Sequence, residues 1–265
     1  MGGGGSKGYG PPPREFIDYY PHCANSKGNF QIIVTDGKET YTEPLEWDGK
    51  AIVVGRSSTA GATIKVADEG TSAQHLEFRW VSKHECWQAK DMGSSKGTRI
   101  LRSERQDPAS VPDKLDPETP FNIESITVFH CGISTFVALV PTAKKIGLIC
   151  TKNDEATVTN LKVGDFVPFT NVLSMGREPS PSGQKCLRFP GVSNISGAHC
   201  CIERNGKHWE LTDSDATHKT VIAGHKLTKG GNVPLWPGAT ITFGHKEKNF
   251  DSASTIHMKV MMQFS

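Results

Sequence analysis

Two stretches of the 265-residue chain carry the same short motifs in the same order, about 120 residues apart. Gly55-Arg56 recurs as Gly176-Arg177, and Ser72-x-x-His75 recurs as Ser196-x-x-His199. Three more residues return at nearly the same offset, so that Trp209, Asp213 and Thr220 repeat Trp87, Asp91 and Thr98. A period of this length is too long for a solenoid repeat. The repeat therefore predicts a duplicated domain, which restricts the chain to two similar folding units.

Short strands separated by turns are the main local pattern in both units. The segment Leu76–Trp80 alternates strictly between apolar and polar residues, as a strand with one buried face does. The chain contains 27 Gly and 16 Pro, which suit frequent turns, and no long stretch keeps a helical periodicity. We therefore predict an all-β chain of two consecutive β-sandwiches, at residues 29–141 and 144–265.

Residues 1–28 differ in composition and are predicted to form a disordered leader. The leader begins with MGGGGSK, which allows two interpretations. Gly2, Ser6 and Lys7 fit the pattern for N-myristoylation, which would make Gly2 a lipidation site and a membrane a partner. The alternative is a plain flexible tail without lipid.

The charge balance limits the classes of partner. The chain carries 30 Lys and Arg against 28 Asp and Glu, a formal net charge of +2, which argues against binding nucleic acid by bulk electrostatics. Because no apolar run is long enough to span a bilayer and no signal-peptide core is present, we expect an intracellular protein, nuclear or cytoplasmic. The 7 Cys form no C-x-x-C pair, so we expect reduced thiols, no metal site and no cofactor.

The repeated residues suit the binding of an oxyanion. Each motif follows a predicted strand, which places the motifs in loops, and a sandwich gathers such loops at one end. A guanidinium can bind two phosphate oxygens, while hydroxyls and backbone N–H groups bind the others. The candidate phosphate-binding residues are Arg56, Ser72 and Ser95 in the first unit and Arg177, Ser196 and Thr217 in the second.

The motifs resemble those of the forkhead-associated (FHA) domain, most closely in plant FHA-domain proteins. The family pattern of Gly-Arg, Ser-x-x-His and Asp-x-x-Ser-x-Asn-Gly-Thr is matched by Gly55-Arg56, Ser72-x-x-His75 and the segment 91–98. The stretch 115–122 also looks like the matching connection of the plant proteins. The resemblance covers residues 29–265 and implies two consecutive FHA-type β-sandwiches that bind threonine-phosphorylated proteins, with no small-molecule substrate.

The resemblance also implies roles for single residues. Arg56, Ser72 and Ser95 would contact the phosphate directly. Lys96 stands where the family has an asparagine that binds the peptide backbone, and lysine has donors but no acceptor. The residues expected to support the structure rather than touch the ligand are Gly55, His75, Gly97, Gly176 and His199.

The second copy departs further from the family pattern. Arg177 and Ser196 are kept and Thr217 preserves a hydroxyl, but His218 replaces the asparagine and Lys219 replaces the glycine. Lysine is poorly accommodated at positive φ, so we expect this loop to adopt a different shape. The first site is therefore predicted to be the more competent one.

We predict an adaptor that binds phosphothreonine peptides, and not an enzyme. The loop 93–98 ends in Lys-Gly-Thr, which is not the order of a P-loop, and no G-x-S-x-G motif occurs. Two alternatives stay open. One is a structural or dimerisation scaffold whose FHA pockets have decayed, and the other is an FHA protein that associates with nucleic acid through local basic loops.

Overall fold

The structure of the chain is a computed structural model. It describes residues 10–18, 30–44, 50–84, 86–101, 113–123, 127–141, 143–154, 159, 161–180, 184–206, 208–214, 216–243 and 255–264. The described chain is all-β, which confirms the predicted fold class. No helix in these ranges is long and apolar enough to cross a membrane.

The first sandwich is formed by strands β1 to β10. Their bounds are β1 Phe30–Thr35, β2 Thr40–Pro44, β3 Ile52–Gly55, β4 Ile64–Lys65, β5 Leu76–Val81, β6 Cys86–Asp91, β7 Thr98–Leu101, β8 Phe121–Ile123, β9 Thr127–Cys131 and β10 Thr135–Pro141. One sheet has the order β2-β1-β10-β9-β7 and the other has the order β4-β3-β5-β6-β8. Alternate residues such as Ile32, Val54 and Phe78 point between the sheets and form a buried core.

The second sandwich is formed by strands β11 to β21. Their bounds are β11 Ala143–Asn153, β12 Phe166–Phe169, β13 Val172–Gly176, β14 Cys186–Arg188, β15 Cys200–Asn205, β16 His208–Asp213, β17 Val221–Ile222, β18 His225–Lys226, β19 Asn232–Pro234, β20 Thr240–Phe243 and β21 Ile256–Phe264. Its sheets have the orders β12-β11-β21-β20-β17-β18 and β14-β13-β15-β16-β19. Trp209, Trp236 and Phe243 are among the largest side chains of its core.

The two sandwiches share one strand order, apart from the additional edge strand β18 of the second. Each has a parallel pair at one sheet edge, β3 with β4 and β13 with β14, while the next strands, β5 and β15, pair antiparallel. The strand that carries each Gly-Arg motif is the first member of that parallel pair. The sequence repeat therefore corresponds to a repeat of topology, and equivalent loops emerge at the same end of each sandwich.

The two sandwiches pack directly against each other. Ile33, Val128 and Phe136 lie on the outer face of the β1–β10–β9 sheet and belong to the same buried cluster as the core of the second sandwich. Hydrogen bonds also cross this contact, because Thr35 Oγ1 donates to the Asn232 carbonyl at 3.2 Å and Asn232 Nδ2 donates to a Thr40 hydroxyl at 3.0 Å. The outer face of the β1–β10–β9 sheet is therefore buried between the two sandwiches.

Part of the predicted leader is docked on the second sandwich. Ile17 exchanges two backbone hydrogen bonds of 2.9 Å with Met262, and the Phe16 ring packs edge-on against Phe166 with centroids 4.8 Å apart. Residues 10–18 therefore differ from the disordered segment expected for 1–28, because an apolar pair and a strand bridge hold them to β21 and β12. Gly2 and the other residues of the leader lie outside the described residues.

Candidate functional site

The end of β3 lies against the loop that contains Ser72 and His75. Arg56 N donates to the Ser72 carbonyl at 2.9 Å, and His75 N donates to the Val54 carbonyl at 2.9 Å. Gly55 makes this close approach possible, because a β-carbon there would lie 2.9 Å from the carbonyl carbon of Ala73. The Gly-Arg and Ser-x-x-His motifs are therefore adjacent in space as well as being repeated in sequence.

The Arg56 side chain is exposed but anchored at one point. Its Nε donates to the Thr71 carbonyl at 3.2 Å. A guanidinium carries five N–H donors in one plane. The contact through Nε orients that plane and leaves the terminal nitrogens available for a ligand.

Ser72 joins the two loops that form the rest of the site. Its Oγ accepts a hydrogen bond of 3.1 Å from the backbone N of Ser95, and a hydroxyl that accepts one bond can still donate its own hydrogen. Ser95 and Lys96 are exposed on the second loop. The structure therefore brings the Arg56, Ser72 and Ser95 positions together, and Lys96 follows directly in the chain.

Asp91 and Thr98 hold the base of the Ser95 loop. The Asp91 carboxylate accepts hydrogen bonds from Ser94 N at 2.7 Å, Ser94 Oγ at 2.8 Å and Thr98 Oγ1 at 2.6 Å. Burial by itself would raise the pKa of Asp91, but the bonds from Thr98 and Ser94 outweigh it and lower the pKa. Gly97 closes the loop at φ +72°, a conformation that favours glycine.

His75 is a buried structural partner of Ser72. Its Nδ1 accepts a hydrogen bond of 3.1 Å from Ser72 N, and the ring is fully buried. Burial is the main cause that lowers the pKa of His75, against an opposing influence of the Asp91 charge. The imidazole is thus held neutral, with Nδ1 as an acceptor that fixes the Ser72 loop.

The second sandwich repeats this backbone framework. Arg177 N donates to the Ser196 carbonyl at 2.9 Å, and Ser196 Oγ accepts a bond of 3.0 Å from Thr217 N. Ser196 N donates to His199 Nδ1 at 3.2 Å, and burial lowers the pKa of His199 to about 4. Gly176 again meets a backbone carbonyl, because its β-carbon would lie 3.0 Å from the carbonyl carbon of Gly197.

The loop of the second sandwich has its own shape. Asp213 accepts from Thr220 Oγ1 at 2.8 Å and from Ala216 N at 3.1 Å, so the base of the loop is preserved. Ala223 is the one non-glycine residue with positive φ in the described part of the chain, so Lys219 does not adopt the conformation of Gly97. His218 is half-buried, whereas Lys96 is exposed.

An acidic side chain lies beside the second site. A β-carbon on Gly197 would be 2.8 Å from the Glu178 carboxyl carbon, which places this carboxylate over the residue that follows Ser196. The corresponding pair in the first sandwich is Ser57 and Ala73, neither of which is charged. Negative charge at this point disfavours a second anion.

Part of the second sandwich matches a known protein family. A family model described as FHA domain matches residues 173–244, from β13 to just past β20. The chain contains an FHA domain. The matched residues include Arg177, Ser196, His199 and Asp213, which are the residues that build the second loop framework. Among curated proteins, none matches this chain.

Solved FHA domains from several organisms are similar to part of the chain. An FHA domain of an Arabidopsis thaliana hypothetical protein is 25% identical, with 44% of this chain and 94% of that chain covered and a TM-score of 0.33. The FHA domain of the CT664 protein from Chlamydia trachomatis is 21% identical over 44% of this chain and 100% of that one, with a TM-score of 0.34. The N-terminal FHA domain of Saccharomyces cerevisiae Rad53p is 20% identical over 44% and 93%, with a TM-score of 0.31.

Four residues of the two sites were not singled out as site residues from sequence. Asp91 and Asp213 had a signal, because they recur in the repeat, but their role as loop anchors appears only in their hydrogen bonds. Glu178 had a weaker signal as an acidic neighbour of Arg177. Asp68 accepts a hydrogen bond from the loop that leads to Ser72. It has no equivalent residue in the second copy, so no repeated sequence pattern pointed to it.

Proposed function

We propose that the chain is an adaptor with two FHA domains, residues 29–141 and 144–265, and that the first domain binds phosphothreonine peptides. The hydrogen bond from Ser95 N to Ser72 Oγ carries the proposal. It holds two loops together beside Arg56, so that a guanidinium and the hydroxyl-bearing residues Ser72 and Ser95 lie at the same end of the sandwich. That set of donors suits a phosphorylated side chain, which offers three acceptor oxygens and a charge of about −1.5 to −2.

The contacts of the first site also indicate which donors would bind each phosphate oxygen. Arg56 is oriented through Thr71, so its terminal nitrogens can pair with two phosphate oxygens. Ser72 can donate its hydroxyl hydrogen to a third oxygen while it accepts from Ser95. Lys96 then adds positive charge at the rim. The Rad53p domain in the comparison above was solved in complex with a phosphothreonine peptide.

The first prediction tests the phosphate contact of Arg56. Arg56→Ala is expected to weaken binding of a phosphothreonine peptide at least about 30-fold, because a charge-assisted bidentate contact is lost. The measurement is fluorescence anisotropy with labelled phosphorylated and unphosphorylated peptides of one sequence from a peptide library. Arg79→Ala is the matched control, since Arg79 is an exposed arginine on β5 paired with Glu77. Unchanged affinity in Arg56→Ala, or equal binding of the unphosphorylated peptide, would favour the scaffold alternative.

The second prediction concerns the weaker second site. Glu178→Ser copies the residue of the first domain, and we expect it to raise the affinity of the second site at least about fivefold, because a like charge is removed. The measurement uses the same peptides in an Arg56→Ala background, which silences the first site. Glu203→Ser is the control, since Glu203 is an exposed acidic residue further along β15. No gain in affinity would mean that Lys219 and His218, not Glu178, limit this pocket.

A further inference from the structure

A polar cavity lies where the two sandwiches meet, beside the first binding loops. It has a volume of about 510 Å³ and is lined by Arg99 and Lys114 from the first sandwich and by Ala223 and His225 from the second. Asp113 is the acidic residue of the lining. Because both sandwiches contribute, this cavity exists only in the packed arrangement of the two.

The cavity lies next to the loop that carries Ser95, and Lys114 connects the two. Lys114 lies over Gly97, since a β-carbon on Gly97 would be 2.7 Å from Lys114 Nζ. Arg99 follows Gly97 by two residues along β7, a distance of about 7 Å in an extended strand. Arg99 and Lys114 also form an isolated β-bridge, so their side chains leave the backbone side by side. An extended peptide needs only a few residues to pass from Ser95 to Arg99.

Two imidazoles lie close together at the cavity, one of them outside its lining. His130 on β9 is directly opposite Arg99, and its ring lies 5.0 Å from the ring of His225 between centroids. Burial, followed by the charges of His130 and Arg99, lowers the pKa of His225 to about 4. At this pKa the imidazole of His225 is uncharged near neutral pH, so the positive charge of the cavity lining comes from Arg99 and Lys114.

The second sandwich presents His225 on a tight hairpin. Ile222 of β17 pairs with His225 of β18, and the two residues between them, Ala223 at φ +46° and Gly224 at φ +80°, form the turn. Two consecutive positive φ values are typical of the type I′ turn, which gives a rigid two-residue hairpin. The backbone of His225 is therefore held by a short turn rather than a long loop, at the cavity that Arg99 also lines.

We propose that this cavity binds a second anionic group of the phosphopeptide whose phosphothreonine contacts Arg56, Ser72 and Ser95. The group is a phosphate or a carboxylate on a side chain a few residues away from the phosphothreonine. The proposal rests on the proposed function, and it adds that the second FHA domain contributes to ligand choice by the first. Lys114 belongs to both places, because it lines the cavity and its ammonium group lies beside Gly97 of the Ser95 loop.

The test compares three peptides that share one phosphothreonine. At a second position, two to four residues away on either side, they carry alanine, glutamate or a second phosphothreonine. We expect the full chain to bind an anionic peptide about tenfold more tightly than the alanine peptide at the best spacing. Arg99→Ala is expected to reduce this ratio of affinities to about one, while Lys83→Ala, an exposed lysine on the β5–β6 turn, keeps it near ten. Anisotropy is measured at one ionic strength throughout.

The outcomes separate this proposal from the proposed function. A ratio near one for the unaltered chain, with alanine-peptide binding still dependent on Arg56, would overturn the second anion site alone. A ratio that stays near ten in Arg99→Ala would overturn it too, and Arg99→Gln replaces Arg99→Ala if circular dichroism shows a folding defect. Absence of binding by all three peptides would overturn both proposals. A tighter glutamate peptide supports a carboxylate ligand, and a tighter doubly phosphorylated peptide supports a phosphate.

Discussion

Asp68→Asn is expected to lower the free energy of unfolding by about 3–5 kcal/mol, because it disrupts a buried network that several loops share. Asp68 Oδ2 accepts backbone hydrogen bonds of 2.8–3.0 Å from residues 133–135, and Oδ1 accepts a bond of 2.8 Å from Gly70 N. Both oxygens therefore face N–H donors. Either orientation of an asparagine amide would place an NH₂ group against one of them.

The same carboxylate links the β9–β10 turn to the first binding site. Thr71 Oγ1 donates to Asp68 at 3.3 Å, and the Thr71 carbonyl is the acceptor that orients Arg56. We therefore expect Asp68→Asn to weaken phosphopeptide binding in addition to its effect on stability. Glu69→Gln is the matched control, because Glu69 is an exposed carboxylate next in the chain and its change is expected to stay within about 0.5 kcal/mol.

The pH dependence of this effect has a defined sign. Burial would raise the pKa of Asp68, but the hydrogen bonds from Ser134, Gly70 and Ile133 outweigh it and lower the pKa below the ordinary 3.8. A lowered carboxyl pKa contributes stability that is present above the ordinary value and is lost as the pH falls through the folded-state value. The difference in the free energy of unfolding between the unaltered chain and Asp68→Asn, measured with urea, should therefore be constant from about pH 5 to 8. It should become smaller below pH 3.8. A difference under about 1 kcal/mol at pH 7 would contradict the network.

The framework of each site was predictable because it rests on local contacts between repeated residues. The two motifs, Gly-Arg and Ser-x-x-His, lie within one or two strands of the later Asp and Thr along the chain. The hydrogen bonds of Ser72 and Ser196 join these elements in the same way in both copies. The different shape of the loop at Lys219 was also predictable, because lysine is poorly accommodated at the positive φ that Gly97 adopts. All-β architecture followed from short alternating segments and frequent turns.

Features that depend on contacts between distant segments were not predictable from one sequence. Asp68 binds residues 133–135, and in the second copy Val192 and Ile195 fill the positions of Asp68 and Thr71 with apolar groups. The contact of Lys114 with Gly97 depends on the β-bridge between Arg99 and Lys114, which no sequence motif indicates. The docking of Phe16 on Phe166 likewise joins a Gly- and Pro-rich leader to a strand far along the chain, so composition alone suggested disorder.

Gly55→Ala is expected to lower the free energy of unfolding by about 2–4 kcal/mol and to weaken phosphopeptide binding at the first site more than about tenfold. The cause is space rather than backbone conformation, since Gly55 is not among the glycines with positive φ. An added β-carbon would lie 2.9 Å from the Ala73 carbonyl carbon, 3.0 Å from Gln74 Cα and closer still to the Ala73 oxygen. These are backbone atoms, which cannot rotate away as a side chain can, so the loop that carries Ser72 would have to move.

The second copy supplies a matched variant within the same chain. Gly176→Ala meets the Gly197 carbonyl in the same way and should destabilise the second sandwich by a similar amount, while peptide affinity of the first site is reduced less than in Gly55→Ala. Gly10→Ala is the neutral control, because no described heavy atom lies within 4 Å of its β-carbon position and its φ is not positive. The measurements are urea unfolding and peptide anisotropy on all three variants. Equal stability and affinity in Gly55→Ala and Gly10→Ala would mean that the loop can shift without cost, and the glycine of the Gly-Arg motif would then need another explanation.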